Sequence, residues 1–193
     1  MKKVLLLLAD GFEIYEASAF IDVIGWNLLE GDKSTQLFTC ALKKEIKSTF
    51  NQRFIVDFTI DQVNIEEYAA LAIPGGFEEY GFYKDAYYPD FLDVIRKFEN
   101  QQKTIASICT GALPVAESNI LQNRNGTTYN LNPVRQNALR DKLVNVLNQP
   151  IVEDGNIITS WNPSTAMDVA FLLLEKLTSK ENTNKVKRLM GFN

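Results

Sequence analysis

Thr104-Ile-Ala-Ser-Ile-Cys109-Thr-Gly-Ala-Leu113 is a short apolar run that breaks on a cysteine and passes through Thr110-Gly111 into a helix-like stretch with Ala112, Leu113 and Ala116. Strand, sharp turn, helix is the layout of a nucleophile elbow. Working outward, Ala69-Ala-Leu-Ala-Ile73 is a second apolar run, closed by Pro74-Gly75-Gly76, and residues 3–9 form a third, closed by Asp10-Gly11. Runs that are apolar at every position, rather than at alternate ones, read as strands buried on both faces, and such strands belong to parallel sheets.

Helical patterns lie between and after these runs. Over residues 15–30, Ala19, Phe20, Val23, Ile24, Trp26 and Leu28 recur at helical spacing and Gly31 ends the pattern. Pro89 suits the first turn of a helix reaching Asn100, and further helices are expected over residues 133–146, 164–177 and 180–190. Residues 35–42 read as a strand and residues 53–60, alternating with period two, as a more exposed one, with a hairpin between them. A strand over 126–129 and a hairpin around Asp154-Gly155 complete the pattern. Alternating strands and helices imply an α/β fold, a doubly wound and mostly parallel sheet with helices on both faces, and one domain over residues 1–193. Sites in such sheets gather beyond the carboxyl ends of the strands, where Asp10, Gly75 and Cys109 all fall.

Composition narrows the function. With 24 acidic and 20 basic residues the net charge is -4, which argues against nucleic acid as a partner, because phosphate binding needs a concentrated basic surface. The basic stretch Lys185-Val-Lys-Arg188 reads as a solvated helix face. No run approaches the ~20 apolar residues of a membrane helix, and the apolar start after Met-Lys-Lys is too short for a signal peptide and lacks a cleavage site. A cytoplasmic protein with no membrane contact is expected. Cys40 and Cys109 are too few for a disulfide framework or a four-ligand zinc site, so no metal and no cofactor are expected. The chain has no histidine, so any catalysis works without imidazole.

Cys109 is the best candidate for chemistry, since the start of a helix lowers a thiol's pKa; the plainer reading is a small buried hydrophobe. Glu16, in the first turn of the first helix, suits the helix dipole, yet it also lies beside the presumed site. A carboxyl pressed against a thiolate would stay protonated and donate to the sulfur. Glu13 should be more exposed. Gly75 and Gly76 permit close backbone approach, and their N–H groups with that of Thr110 form a candidate oxyanion hole, or Pro-Gly-Gly is simply a tight turn. Cys40, inside a strand, reads as structural.

The segments Gly11-Phe-Glu-Ile-Tyr-Glu16, Ile73-Pro-Gly-Gly76, Ala106-Ser-Ile-Cys-Thr-Gly-Ala112 and Asp154-Gly-Asn-Ile-Ile-Thr-Ser-Trp-Asn-Pro163, with the closing Arg188-Leu-Met-Gly-Phe192, together resemble the ThiJ/PfpI superfamily, and within it the branch of the parkinsonism-associated protein deglycase. The order and spacing of the motifs carry the resemblance nearly end to end. It implies a flavodoxin-like fold, a homodimer, an elbow cysteine at Cys109 and an acidic partner at Glu16. It also implies glyoxalase or deglycase activity toward small 2-oxoaldehydes and their adducts, and reversible oxidation of the cysteine to sulfinate. The protease-like members carry a histidine where Thr110 stands, and the deglycase branch carries one in the segment Thr127-Thr-Tyr129-Asn130. Lacking both, the chain is not expected to be a peptidase, whose acyl transfer needs a base to shuttle the proton. Tyr129 is the neutral hydrogen-bond donor in that segment, or packing beside the site. Cys-Thr-Gly also resembles the isocyanide hydratase branch, which uses a cysteine, a carboxylate and a threonine N–H without histidine, although its carboxylate is an aspartate.

The leading expectation is therefore a cysteine-dependent enzyme acting on a small carbonyl substrate through Cys109 and Glu16. The rival is a non-catalytic, redox-responsive protein in which Cys109 is oxidised to sulfinate beside Glu16.

Overall fold

The computed structural model describes residues 1–192. In chain order it has β1 (Lys2–Leu7), α1 (Ile14–Glu30), β2 (Thr35–Ala41), β3 (Glu45–Lys47), β4 (Arg53–Ile55), β5 (Phe58–Thr59) and β6 (Tyr68–Ile73). Next come α2 (Phe82–Ala86), α3 (Pro89–Asn100), β7 (Thr104–Ser107), α4 (Ala112–Glu117), β8 (Asn125–Gly126) and α5 (Pro133–Asp141). The chain continues with β9 (Asn145–Val146), β10 (Ile151–Asp154), β11 (Ile157–Ser160), α6 (Ala166–Leu177) and α7 (Lys180–Leu189).

Seven strands form the central sheet in the order β10-β11-β7-β6-β1-β2-β5. All neighbours are parallel except the β10–β11 hairpin. β1 lies inside the sheet between β6 and β2, and residues 4–8 have no exposed surface. Because strand side chains alternate in direction, Val4, Leu6 and Leu8 pack into the core shared with α1 and α6, while Leu5, Leu7 and Ala9 pack into the core shared with α3 and α4. Each buried Val or Leu side chain contributes about 1.5–3 kcal/mol, which is why the run from Val4 to Leu8 is apolar throughout. This is the doubly wound α/β architecture that the sequence implies.

Three expectations need correction. Residues 53–60 are not one strand: the Asp57 carboxylate takes the Thr39 N–H and hydroxyl, both at 2.8 Å, so the chain breaks into β4 and β5. The expected hairpin is β3 against β4. The strand over 126–129 stops at Gly126, because the Thr127 N–H donates to the Thr159 hydroxyl at 2.9 Å instead of to a ladder partner. The helix from Pro133 ends at Asp141; Leu143 adopts a left-handed φ of 61°, and the Val144 N–H turns back to the Leu139 carbonyl at 3.2 Å, a helix stop of the Schellman kind made without glycine.

Candidate functional site

Three loops meet beyond the carboxyl ends of β1, β6 and β7. The first two are stitched together: the Glu13 N–H donates to the Gly75 carbonyl at 2.7 Å and the Phe77 N–H to the Gly11 carbonyl at 3.1 Å, and Phe12 bridges Gly76. The stitching sets where α1 begins, so Glu16 in its first turn is turned inward and wholly buried. Its Oε2 accepts the Gly75 N–H at 2.6 Å. A Cβ on Gly75 would lie 2.7 Å from Thr110 Oγ1 and 2.9 Å from Glu16 Oε2, so the close approach requires glycine.

The third loop is the elbow. Cys109 has φ 56°, a left-handed conformation that costs a non-glycine residue free energy and persists only where its surroundings enforce it. They do so here on both sides. The Thr128 hydroxyl donates to the Cys109 carbonyl at 2.8 Å. The Thr110 hydroxyl accepts from the Gly76 N–H and donates to the Gly76 carbonyl, both at 2.9 Å.

Glu16 Oε1 is buried and has no partner of ordinary hydrogen-bond geometry; the polar group beside it is the Cys109 thiol, with which the carboxyl interacts. Burial, reinforced by the Glu13 carboxylate and opposed by the Gly75 N–H, pushes the Glu16 carboxyl up to about 8. Burial pushes the Cys109 thiol well above its usual range too, the Glu16 carboxylate adds to this, and the Thr110 N–H opposes it. This corrects the expectation of a thiol lowered by a helix start. The following helix, α4, is only six residues long, and its end effects do not offset desolvation. Two buried groups that repel one another's charge titrate as a pair, so at neutral pH the pair is mostly uncharged.

The site opens into a cavity of about 250 Å³ lined by Glu16, Gly76, Cys109, Thr110 and Tyr129; Gly75 does not line it and is tied to it through its N–H bond to Glu16. The residues singled out from the sequence thus converge, with one revision: the Gly75 and Gly76 N–H groups are engaged by Glu16 and Thr110, leaving the Thr110 N–H beside the sulfur as the donor for an oxyanion. Tyr129 is half-buried, and its segment is held by Gln136, whose amide donates to the Thr128 carbonyl at 3.0 Å. Cys40 lies in the core, its thiol pushed by burial up to about 12. Sequence reasoning did not single out Tyr83, Glu78 and Arg135, which also line the cavity. Arg135 donates to Glu78 Oε2 at 2.8 Å. The aromatic density of residues 77–88 was the only signal for Tyr83, and nothing in the sequence around Arg135 marks it.

A sequence model of the DJ-1/PfpI family matches residues 2–176. The chain is 26% identical over 180 residues to Protein DJ-1 homolog A of Arabidopsis thaliana, covering 93% of this chain and 43% of that protein. It is 31% identical over 114 residues to Deglycase PfpI of Pyrococcus furiosus, covering 56% of this chain and 61% of that one. The matched region is thus less than two thirds of either relative. The crystal structure of Drosophila melanogaster DJ-1beta superposes with a TM-score of 0.84 over 100% of this chain and 98% of that one, at 24% identity. Among the described residues no helix is long and apolar enough to cross a membrane.

Proposed function

The chain belongs to the DJ-1/PfpI family, and from that premise we propose that it is a cysteine-dependent enzyme acting on small 2-oxoaldehydes or their adducts, with Cys109 as nucleophile and Glu16 as proton carrier. The observation that carries this reading is the buried Glu16–Cys109 pair, in which one carboxyl oxygen is anchored by Gly75, the other has no partner of ordinary hydrogen-bond geometry, and the carboxyl and thiol act on one another. A carboxyl raised to about 8 is matched to proton transfer in both directions near neutral pH. The deglycase name of the Pyrococcus relative supports the same substrate class.

In the simplest case the sulfur adds to the aldehyde carbon, the C=O π bond opens, and the oxygen takes up the proton that leaves the pair. The product is a hemithioacetal, whose developing oxyanion the Thr110 N–H stabilises. Glu16 then removes the proton on that carbon and returns a proton to the neighbouring carbonyl carbon, while the hydroxyl proton of the first carbon passes through the same carboxyl to the oxygen of the second, which converts the adduct into the thioester of a 2-hydroxy acid. Water hydrolyses the thioester and restores the thiol. The chemistry is redox-neutral overall, so a protein without a cofactor can complete it. Because the pair must lose one proton to become nucleophilic, turnover rises with pH toward about 8.

A cytoplasmic setting, where thiols stay reduced, goes with this reading, as does a homodimer. Phe50, Phe77 and Tyr80 form an exposed aromatic cluster beside the site that a second copy would cover. The test is methylglyoxal turnover by protein never exposed to peroxide, alongside Cys109→Ser and Glu16→Gln. Activity abolished by the first and cut sharply by the second is expected. Equal activity in Glu16→Gln would remove Glu16 as proton carrier, and an inactive parent protein would favour the redox-responsive alternative.

A further inference from the structure

Tyr83 stands in α2, just after Gly81, whose φ of 87° turns the chain into that helix. The helix is pinned from below. Phe82 is buried against Gly76, where a Cβ would come within 2.3 Å of its ring, and buried Asp85 accepts the Asp10 N–H at 3.3 Å. The Tyr83 ring is held on three sides: Phe82 meets it at 5.2 Å and Tyr87 at 5.1 Å between centroids, and the Arg135 guanidinium lies 4.9 Å from the ring centre.

At the end of this fixed ring the hydroxyl is buried and has no partner of ordinary hydrogen-bond geometry, although it is near enough to the Thr110 hydroxyl and to Cys109 for both to act on it. A buried hydroxyl without a partner is uncommon and needs a reason. Burial pushes the phenol up to about 12, so it remains a neutral donor throughout the working range. Tyr83 lines the same cavity as Cys109.

Resting on the function proposed above, we propose that Tyr83 is a catalytic residue whose phenol hydroxyl donates a hydrogen bond to the oxygen of a carbonyl substrate as Cys109 adds to its carbon. Tyr83 gives up no proton. The sulfur–carbon bond forms, the C=O π bond opens, and the proton on the new hydroxyl comes from the Cys109–Glu16 pair. Tyr83 and the Thr110 N–H thus address the same oxygen, the role for which the Gly75 and Gly76 N–H groups are no longer free.

The test measures how well methylglyoxal protects Cys109 from an aromatic disulfide reagent, in the parent protein and in Tyr83→Phe, with Cys109→Ser as the blank. Removing a hydroxyl that has no partner in the free protein should leave urea stability and the unprotected rate at Cys109 unchanged. Protection should weaken about fivefold, the loss of one hydrogen bond. Equal protection in Tyr83→Phe would overturn the proposal, and so would a fall in stability or in the unprotected rate, which would mark a structural role. A parent protein that is protected by methylglyoxal but does not turn it over would refute the proposed activity while leaving Tyr83 as the donor. A parent protein that methylglyoxal does not protect would refute both.

Discussion

Replacing Glu16 by Gln isolates the buried carboxyl, because the amide oxygen can still accept the Gly75 N–H while the NH2 group takes the place of a protonated Oε1. The carboxyl titrates near 8 in the folded chain against 4.5 ordinarily. Between those values the folded state holds a proton that the unfolded state has lost, so stability is fully present below pH 4.5, declines as pH rises, and levels off above 8. At 1.36 kcal/mol for each pH unit the whole effect is about 5 kcal/mol, a large share of a domain's stability. The assay is urea denaturation of the parent protein and Glu16→Gln at steps from pH 5 to 9. The two should be nearly equally stable at pH 5, and Glu16→Gln should be the more stable by a few kcal/mol at pH 9. Parallel profiles would refute the reasoning, as would a parent protein that gains stability relative to Glu16→Gln as pH rises.

Iodoacetamide followed across pH by peptide mass spectrometry should modify Cys109 slowly at pH 7 and faster above the ~8.5 of a free thiol, while Cys40 stays unmodified in the folded chain; a Cys109 rate that levels off below pH 7 would contradict the raised thiol. Gly75→Ala should lower stability by about 1–3 kcal/mol, an overpacking cost readable in urea midpoints, because its Cβ meets both Thr110 and Glu16. Tyr129→Phe should weaken methylglyoxal turnover by about 1 kcal/mol of transition-state stabilisation and Tyr129→His should raise it, as steady-state kinetics will show; no change in either variant would make Tyr129 packing alone.

The sheet centre was legible because β1 and β6 carry the unbroken apolar runs Val4–Leu7 and Ala69–Ile73 and β7 the pair Ile105-Ala106, a pattern that suits strands covered on both sides. The elbow was legible because Cys-Thr-Gly interrupts such a run. What remained hidden depends on distant partners. The engagement of the Gly75 N–H depends on Glu16, 59 residues away, and that of the Gly76 N–H on Thr110, 34 residues away. The raised Cys109 thiol follows from burial that local sequence does not encode. Tyr83 escaped notice because α2 has five residues, too few to show a helical period. The early end of α5 at a left-handed Leu143 has no sequence signal, since the usual glycine is missing.

The central claim is that Cys109 takes the aldehyde carbon and Glu16 carries the proton, and conversion of methylglyoxal in heavy water tests it most directly. If Glu16 removes the proton from the first carbon and returns one to the second, exchange with solvent places deuterium on the second carbon of the 2-hydroxy acid formed, and Cys109→Ser forms none. Glu16→Gln that forms the deuterated product as fast as the parent protein, or no product from unoxidised parent protein, would contradict the account.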